Sequence, residues 1–101
     1  MYELQFTQYS QEELNKLDGR KMQFVDKAFK RIKDRGMKAG QPLTGKLKHC
    51  NKLKNNKLGL RIIFRQVDNK IEVIEIVAIG SRADKEVYKE ATKRISEDDL
   101  L

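Results

Sequence analysis

The sequence predicts an α+β domain with one strand, a two-helix hairpin, three antiparallel strands in a small sheet, and a C-terminal helix. The prediction rests on the spacing of apolar residues, which changes along the chain. Residues 2–6 alternate apolar and polar side chains, residues 14–32 repeat apolar side chains every three or four positions, and residues beyond 43 alternate again. With 101 residues, the chain is expected to form a single domain over residues 1–101.

The composition argues against several classes of protein. No stretch approaches the ~20 apolar residues that a membrane-spanning helix needs, and the N-terminus lacks the basic and then apolar order of a signal peptide. One Cys and one His cannot form an internal disulfide or a structural zinc site. We therefore expect a cytoplasmic domain with no metal, no small-molecule cofactor and no membrane partner.

The charge is distributed unevenly along the chain. Residues 1–19 have a net charge of −3, residues 20–61 of +12 and residues 62–101 of −2, which together give +7. A block as basic as residues 20–61 repels itself in a compact fold, so a polyanion or an acidic protein is the expected partner. The alternative is a lysine-rich face that only keeps the protein in solution.

The N-terminal half is expected to continue from its strand into the helical hairpin. Residues 10–13, Ser-Gln-Glu-Glu, match a capping box, which predicts that the first helix begins at Ser10. Gly19 is its expected end. The second helix carries apolar residues at spacings of three and four, and Gly36 is a plausible C-terminal cap.

Two strands with basic faces are expected next. The first covers residues 46–54, with Leu47 and Leu53 on one face and Lys46, Lys48, Lys52 and Lys54 on the other. A turn over residues 55–59 separates it from the second strand. There, Leu60, Ile62 and Phe64 alternate with Arg61 and Arg65, so this strand also presents cations to one side.

The last strand and helix complete the predicted order. Asp68-Asn69 is a two-residue hairpin signal, because both residue types tolerate positive φ. The nearly continuous apolar run over residues 71–79 fits the central strand of a sheet covered by helices on one face. Asp84 is expected to cap a final helix with Val87, Ala91 and Ile95 facing inward.

The cations of the two strands suggest a chemical role. Lys52 and Lys54 share one strand face, and pairing across the turn is expected to bring Arg61 close to them, because neighbouring strands lie about 5 Å apart. Cleavage of RNA by its own 2′-hydroxyl needs a base, positive charge at the phosphate and an acid for the departing 5′-oxygen. Lysines and arginines can fill these roles without a metal. The alternative is a solvated strand face.

A second group follows the last strand. Arg82 lies in a loop that can reach the same sheet face, and Tyr88 is next to the inward-facing Val87. An exposed tyrosine beside arginines can stack on an unpaired base. A tyrosine packed at the rim of the core is an equally good interpretation.

His49 and Cys50 carry side chains that can take part in catalysis. His49 is expected to point away from the lysines and to be structural or at the end of a loop. Cys50 shares the lysine face, where cations could lower the pKa of its thiol. No His or acid is expected beside Cys50, so we predict no catalytic role for it.

Residues 43–95 resemble the RelE/ParE superfamily of toxins from type II toxin–antitoxin systems. The resemblance covers about half of the chain closely, and the preceding helical hairpin fits the order of elements in that family. It is carried by short segments in the family's order and spacing: Lys52-Leu53-Lys54, residues 59–64 (GLRIIF), residues 79–82 (IGSR), Val87-Tyr88 and residues 91–95 (ATKRI).

The resemblance implies a RelE-like fold and a ribosome-dependent endoribonuclease that cuts the mRNA codon in the A site. Lys52 and Lys54 would supply the base and stabilise the phosphate, and Arg61 would clamp the phosphate. Arg82 would be the general acid, and Tyr88 would stack on a base of the codon. The products would carry a 2′,3′-cyclic or 3′-phosphate and a free 5′-hydroxyl.

The resemblance also implies partners. A cognate antitoxin would neutralise the toxin, often through an acidic amphipathic helix. The ribosome would be held by electrostatic contacts to RNA phosphates. The residues expected to make them are Lys27, Lys30, Arg31, Lys33, Lys46, Lys48 and Arg65.

The family contains more than one activity. The ParE branch shares the fold but inhibits DNA gyrase without cutting RNA, and a passive RNA-binding domain is a third interpretation. Ser81 stands where many relatives have a basic residue, and Asn51 and Leu60 stand where many have aromatic ones. The joint presence of the five candidate catalytic residues favours the nuclease branch.

Overall fold

The computed structural model describes the backbone of residues 1–67, 70–81 and 86–100, and the side chains of these residues except 71 and 97–100. None of the helices in these ranges combines the length and the apolar character that crossing a membrane requires. Two 3₁₀ helices, Gly36–Ala39 and Gly45–Leu47, lie between the longer elements. In chain order, those elements are β1 (Glu3–Phe6), α1 (Gln8–Asn15), α2 (Gly19–Arg35), β2 (Gln41–Pro42), β3 (Cys50–Asn55), β4 (Leu60–Val67), β5 (Lys70–Ser81) and α3 (Glu86–Leu100).

The strands form one mixed sheet in the order β1-β5-β4-β3-β2. β3, β4 and β5 are antiparallel neighbours, as the alternating pattern predicts, whereas β1 runs parallel to β5. The α+β class is confirmed. As predicted, the strand over residues 71–79 is internal to the sheet, with β1 on one side and β4 on the other, and β4 is the middle strand of the five.

Helices cover both faces of the sheet, contrary to the expectation of one covered face. Ile62 and Phe64 face α2, whereas Ile63 faces α3, and all three are 0% exposed. The α2-side core joins residues of α2 to alternate residues of the sheet, namely Val25, Ala28, Ile32, Leu53, Leu60, Ile62, Phe64, Ile74, Ile76 and Ile79, with Ala39. The α3-side core consists of Leu47, Cys50, Ile63, Val77, Ala78, Val87 and Ala91.

A β-bulge in β5 adapts the sheet to α3. Ile63 pairs with Ala78 and Phe64 pairs with Ile76, so Val77 is an extra residue on β5. A bulge interrupts strict alternation. Val77 and Ala78 therefore both belong to the α3-side core, although they are adjacent in sequence.

The first helix begins one turn earlier than predicted. Thr7 is its N-cap, with Ser10 N donating to Thr7 Oγ1 and Thr7 N donating to Ser10 Oγ, each at 3.0 Å. The prediction chose Ser10 as the cap, but Ser10 is the third residue of the helix and completes the box. The helix ends at Asn15, and Gly19 begins α2 instead. The predicted cap at Gly36 is confirmed, with φ of +61° and its N–H donating to Ile32 O.

The predicted strand over residues 46–54 is correct only from Cys50 onward. Residues 45–47 form a 3₁₀ helix that starts at Gly45, where φ is +67°. This turn places Leu47 in the α3-side core, while Leu53 lies in the α2-side core. The two leucines therefore pack on opposite faces of the sheet, which a single strand with both on one face does not allow. Lys46 and Lys48 consequently do not lie on the lysine face of β3, and the Asp68-Asn69 hairpin and the Asp84 cap lie outside the described residues.

Side chains of α1 and α3 meet at the outer edge of β5. β1 pairs with β5 only from Val73 to Ile76. Beyond this point, Glu13 Oε1 accepts a hydrogen bond from Ile79 N at 3.1 Å, and Arg94 Nη1 donates to Val77 O at 2.8 Å. Arg94 also binds Glu13 through two contacts, of 2.8 and 3.2 Å. One ion pair thus joins α1, α3 and the edge of the sheet.

We expect Gly40→Ala to lower the free energy of unfolding by about 2 kcal/mol or more, as overpacking of a core does. An added Cβ would lie 2.5 Å from Lys52 O and 2.8 Å from Phe64 Cζ. Gly59→Ala is the matched control, because its Cβ meets nothing within 4 Å and only the φ of +62° opposes it. That change should cost about 1 kcal/mol. Urea unfolding measures both, and a smaller loss for Gly40→Ala than for Gly59→Ala would contradict the packing described.

Candidate active site

The register of β3 and β4 brings three predicted cations onto the sheet face that α3 covers. Lys54 lies directly opposite Arg61, and Lys52 lies opposite Ile63 of the α3-side core. Residues two apart on a strand share a face. The structure therefore brings Lys52, Lys54 and Arg61 together, as the alternation predicts.

Tyr88 joins this group from α3. The Nζ of Lys52 lies 5.7 Å from the centroid of the Tyr88 ring, within the range of a cation–π contact. Tyr88 is half-buried and packs against the α3-side core, and Thr92 Oγ1 donates to its carbonyl oxygen at 2.9 Å. The ring thus lies at the rim of the core and also beside the lysine, which combines the two interpretations of the sequence.

Arg61 is buried, although the alternation predicted an exposed cation. Its side chain is 5% exposed and turns toward the β3–β4 turn. Nη1 donates to Leu60 O at 3.0 Å and to Asn55 O at 3.5 Å, and Nη2 donates to Asn56 Oδ1 at 3.1 Å. Nε is buried and has no hydrogen-bond partner in the described structure. Within the described residues, the guanidinium is therefore held by neutral oxygens alone.

Arg65 differs from Arg61 because a carboxylate pairs with it. Arg65 lies opposite both Cys50 and Glu75, and its Nε is 3.0 Å from Glu75 Oε1. Gln5 Nε2 also donates to Glu75, at 3.4 Å. Of the two cations predicted on β4, one is buried and the other is already neutralised.

The structure places Cys50 in the α3-side core and His49 in a turn. Cys50 is 1% exposed, and its burial raises the pKa of the thiol to about 11; Arg65 lowers the pKa and Glu75 raises it, both by smaller amounts. The net direction is opposite to the expected one, because desolvation of the thiol outweighs the effect of the Arg65 cation. His49 lies exposed in the turn before β3, which agrees with the loop-end interpretation.

The remaining predicted cations form two exposed regions. Lys46 and Lys48 flank Leu47, which packs in the α3-side core. The cations of α2 lie across the sheet from Lys52, because α2 covers the other face. The helix exposes two acids, Asp26 and Asp34, and a larger number of cations. These exposed cations are Arg20, Lys21, Lys27, Lys30, Arg31, Lys33 and Arg35.

Arg82, the predicted general acid, lies outside the described residues. It directly follows Ser81, the end of β5, which pairs with Leu60 beside Arg61. Across the part of the chain that the structure describes, no three His, Cys, Asp or Glu side chains group together in a way that could hold a metal ion. Sequence reasoning missed Asn56 as a partner of Arg61, because an Asn-Asn pair in a turn gives no sign of which side chain it binds.

Similar proteins share both the sequence and the fold. No model of a known protein family matches the chain. It is 30% identical over 94 residues to a RelE-like toxin protein of Escherichia coli, which covers 93% of this chain and 97% of the relative. It is also 39% identical over 46 residues to the mRNA interferase toxin RelE of Escherichia coli K12, about half of each protein.

Solved structures agree with these relatives. A free Escherichia coli RelE mutant, with two arginines changed to alanine, superposes with a TM-score of 0.76 at 28% identity and covers 93% of this chain and 97% of its own. The same mutant bound to a peptide of the antitoxin RelB gives 0.68 at 25% identity and covers 89% and 93%. The fold is therefore that of a toxin from a toxin–antitoxin system. Within that class, the chain belongs to the RelE family.

We expect the stability difference between wild type and Cys50→Ala to change above pH 9. The pKa of the buried thiol is raised from 9.0 to about 11, so the folded state favours the protonated thiol. This contribution is present below pH 9 and is lost as the pH rises through 11, and two pKa units correspond to on the order of 2–3 kcal/mol. Urea unfolding of both proteins from pH 8 to 11 measures it. Equal pH slopes would show that the thiol is not desolvated.

Proposed function

We propose that this chain is an mRNA interferase toxin that cuts the mRNA codon in the ribosomal A site, needs no metal, and is held inactive in the cytoplasm by a cognate antitoxin. Residues 1–101 then act as one toxin domain. Membership of the RelE family supports the proposal, as does the relative described as an mRNA interferase. The RelE structure with a RelB peptide supports an antitoxin partner.

The observation that carries the proposal is the meeting of cations and an aromatic ring on one rigid surface. Lys54 and Arg61 face each other across two paired strands, and Lys52 lies 5.7 Å from the ring of Tyr88. RNA cleavage through the 2′-hydroxyl uses these kinds of group: an amine, a fixed positive charge and a ring for a base.

The proposed reaction assigns each group a step. The amine form of Lys52 or Lys54 removes the proton from the 2′-hydroxyl, whose oxygen attacks the adjacent phosphorus. The other lysine and Arg61 stabilise the charge on the pentacovalent phosphate. Arg82 gives a proton to the 5′-oxygen as its bond to phosphorus breaks. The products are a 2′,3′-cyclic phosphate, which can open to a 3′-phosphate, and a free 5′-hydroxyl.

Tyr88 positions the substrate in this proposal. Stacking on an aromatic side chain is worth roughly 1–3 kcal/mol per base and tolerates many base types. Because Lys52 lies beside the ring, a base stacked on Tyr88 holds its ribose close to the amine. Stacking thereby selects an unpaired nucleotide and aligns its 2′-hydroxyl.

The burial of Arg61 also supports an anion at this site. A buried charge is costly unless it is paired, and the described partners of this guanidinium are all neutral. A phosphate bound beside Lys54 would supply the missing negative charge. The same argument does not apply to Arg65, whose partner Glu75 is already present.

The basic regions away from the site fit the ribosome and the antitoxin. α2 carries seven exposed Lys and Arg against two exposed Asp. Such a surface binds RNA phosphates with an affinity that falls steeply with salt. Lys46 and Lys48, which flank Leu47 of the α3-side core, provide a smaller basic region. An acidic antitoxin segment would match the same charges.

The test maps mRNA 5′ ends on programmed ribosomes with wild type, Lys52→Ala and Lys54→Ala. We expect wild type to cut within the A-site codon only when ribosomes are present. Each alanine variant should cut on the order of 100-fold more slowly, because it removes a proton-transfer or charge-stabilising group. Lys57→Ala in the adjacent turn is the matched control and should cut at close to the wild-type rate.

Two further results separate the alternatives. Cuts that are unaffected by Lys52→Ala and Lys54→Ala would overturn the assigned site. Growth arrest with DNA damage signalling and no cuts would favour a gyrase inhibitor. For metal independence, a phosphorothioate at the scissile phosphate should slow the reaction without rescue by Mn²⁺, whereas rescue would indicate a metal ligand.

A further inference from the structure

Asn56 provides the one side chain that accepts a hydrogen bond from Arg61 within the described structure. Its Oδ1 lies 3.1 Å from Arg61 Nη2. The other two acceptors, Asn55 O and Leu60 O, are backbone carbonyls that stay in place whatever residue occupies position 56. Position 56 is therefore where the sequence can control how Arg61 is held.

The turn fixes the direction of the Asn56 side chain. Asn55 Oδ1 accepts a hydrogen bond from Leu58 N at 3.0 Å, and Gly59 N donates to Asn56 O at 3.3 Å. Gly59 adopts φ of +62°, which closes the turn. Although residue 56 is exposed, its amide oxygen points back to the guanidinium rather than only to water.

The acceptor at position 56 is neutral, and this matters for the charge of Arg61. A carboxylate at this position would form an ion pair and cancel the positive charge that a phosphate needs. An amide oxygen is a weaker acceptor than a charged oxygen. A phosphate can therefore compete for the guanidinium, whose buried Nε–H has no partner among the residues that the structure describes.

We propose that Asn56 is a positioning residue that holds the buried Arg61 against the β3–β4 turn, leaves its charge available, and yields it to the substrate phosphate. This inference rests on the proposed function. It assigns the β3–β4 turn a part in the reaction without contact to the reacting atoms.

The decisive variant is Asn56→Asp, which has the same shape but a negative charge. The new ion pair should raise the melting temperature. At saturating toxin, cleavage on programmed ribosomes should fall about tenfold or more, because charge stabilisation at the phosphate is lost. The half-saturating toxin concentration should change less than about threefold, because the other cations bind the ribosome. A purely structural acceptor predicts higher stability with unchanged cleavage, and that result would overturn the inference.

Lys57→Gln is the matched control for net charge. Like Asn56→Asp, it lowers the net charge of the turn by one, at an exposed residue that makes no hydrogen bond to Arg61 in the described structure. Its saturating rate should stay within about threefold of wild type. If the saturating rate of Lys57→Gln falls as far as that of Asn56→Asp, the loss of cleavage follows from the net charge of the turn, and the inference is wrong.

A second measurement keeps this inference separate from the proposed function. The ¹⁵N-labelled Arg61 Nε–H signal is followed by NMR while inorganic phosphate is added. In wild type the signal should shift, and in Asn56→Asp the shift should be lost. A protein that cleaves no RNA but shows this contrast would refute the reaction while supporting the role of Asn56. Equal shifts in the two proteins would overturn that role even if wild type cleaves.

Discussion

The unequal lengths of two neighbouring strands constrain the rest of the molecule. β5 has 12 residues, whereas β1 has 4, so part of the outer edge of β5 has no strand beside it. Buried backbone donors and acceptors need partners, and Glu13 and Arg94 supply them at Ile79 N and Val77 O. Because Glu13 belongs to α1 and Arg94 to α3, the same contacts fix both helices against the sheet. Tyr88 is on that anchored α3, which holds its ring beside Lys52.

The candidate site combines a precise part with an adjustable part. Strand pairing sets Lys54 against Arg61 and leaves little freedom in the backbone. The β3–β4 turn then decides where the long side chain of Arg61 goes, through three neutral oxygens. The contrast with Arg65 shows how much a single carboxylate changes: two arginines four residues apart on β4 differ in whether their charge is available to a ligand.

Much of the site could be predicted from the sequence because alternation is a local property. Alternation predicted that Lys52 and Lys54 share one face of β3 and that Arg61 lies close to them on the neighbouring strand. It could not predict the position of the Arg61 side chain, because alternation does not show which oxygens of the β3–β4 turn the guanidinium binds. The prediction of a strand before Cys50 was wrong because Leu47 belongs to a different core from Leu53. An alternating pattern does not show in which of two cores a leucine packs.

The division of the core by the sheet affects which substitutions the protein can accept during evolution. Its two cores lie on opposite faces of the sheet, and β4 contributes Ile62 and Phe64 to one core and Ile63 to the other. Volume exchanges among residues that face α2 alter stability, but Tyr88 packs in the other core. Exchanges that face α3 shift Tyr88 as well, so selection on the chemistry and selection on packing act there on the same residues. One sheet thus separates a half of the protein that packing constrains from a half that both packing and the proposed chemistry constrain.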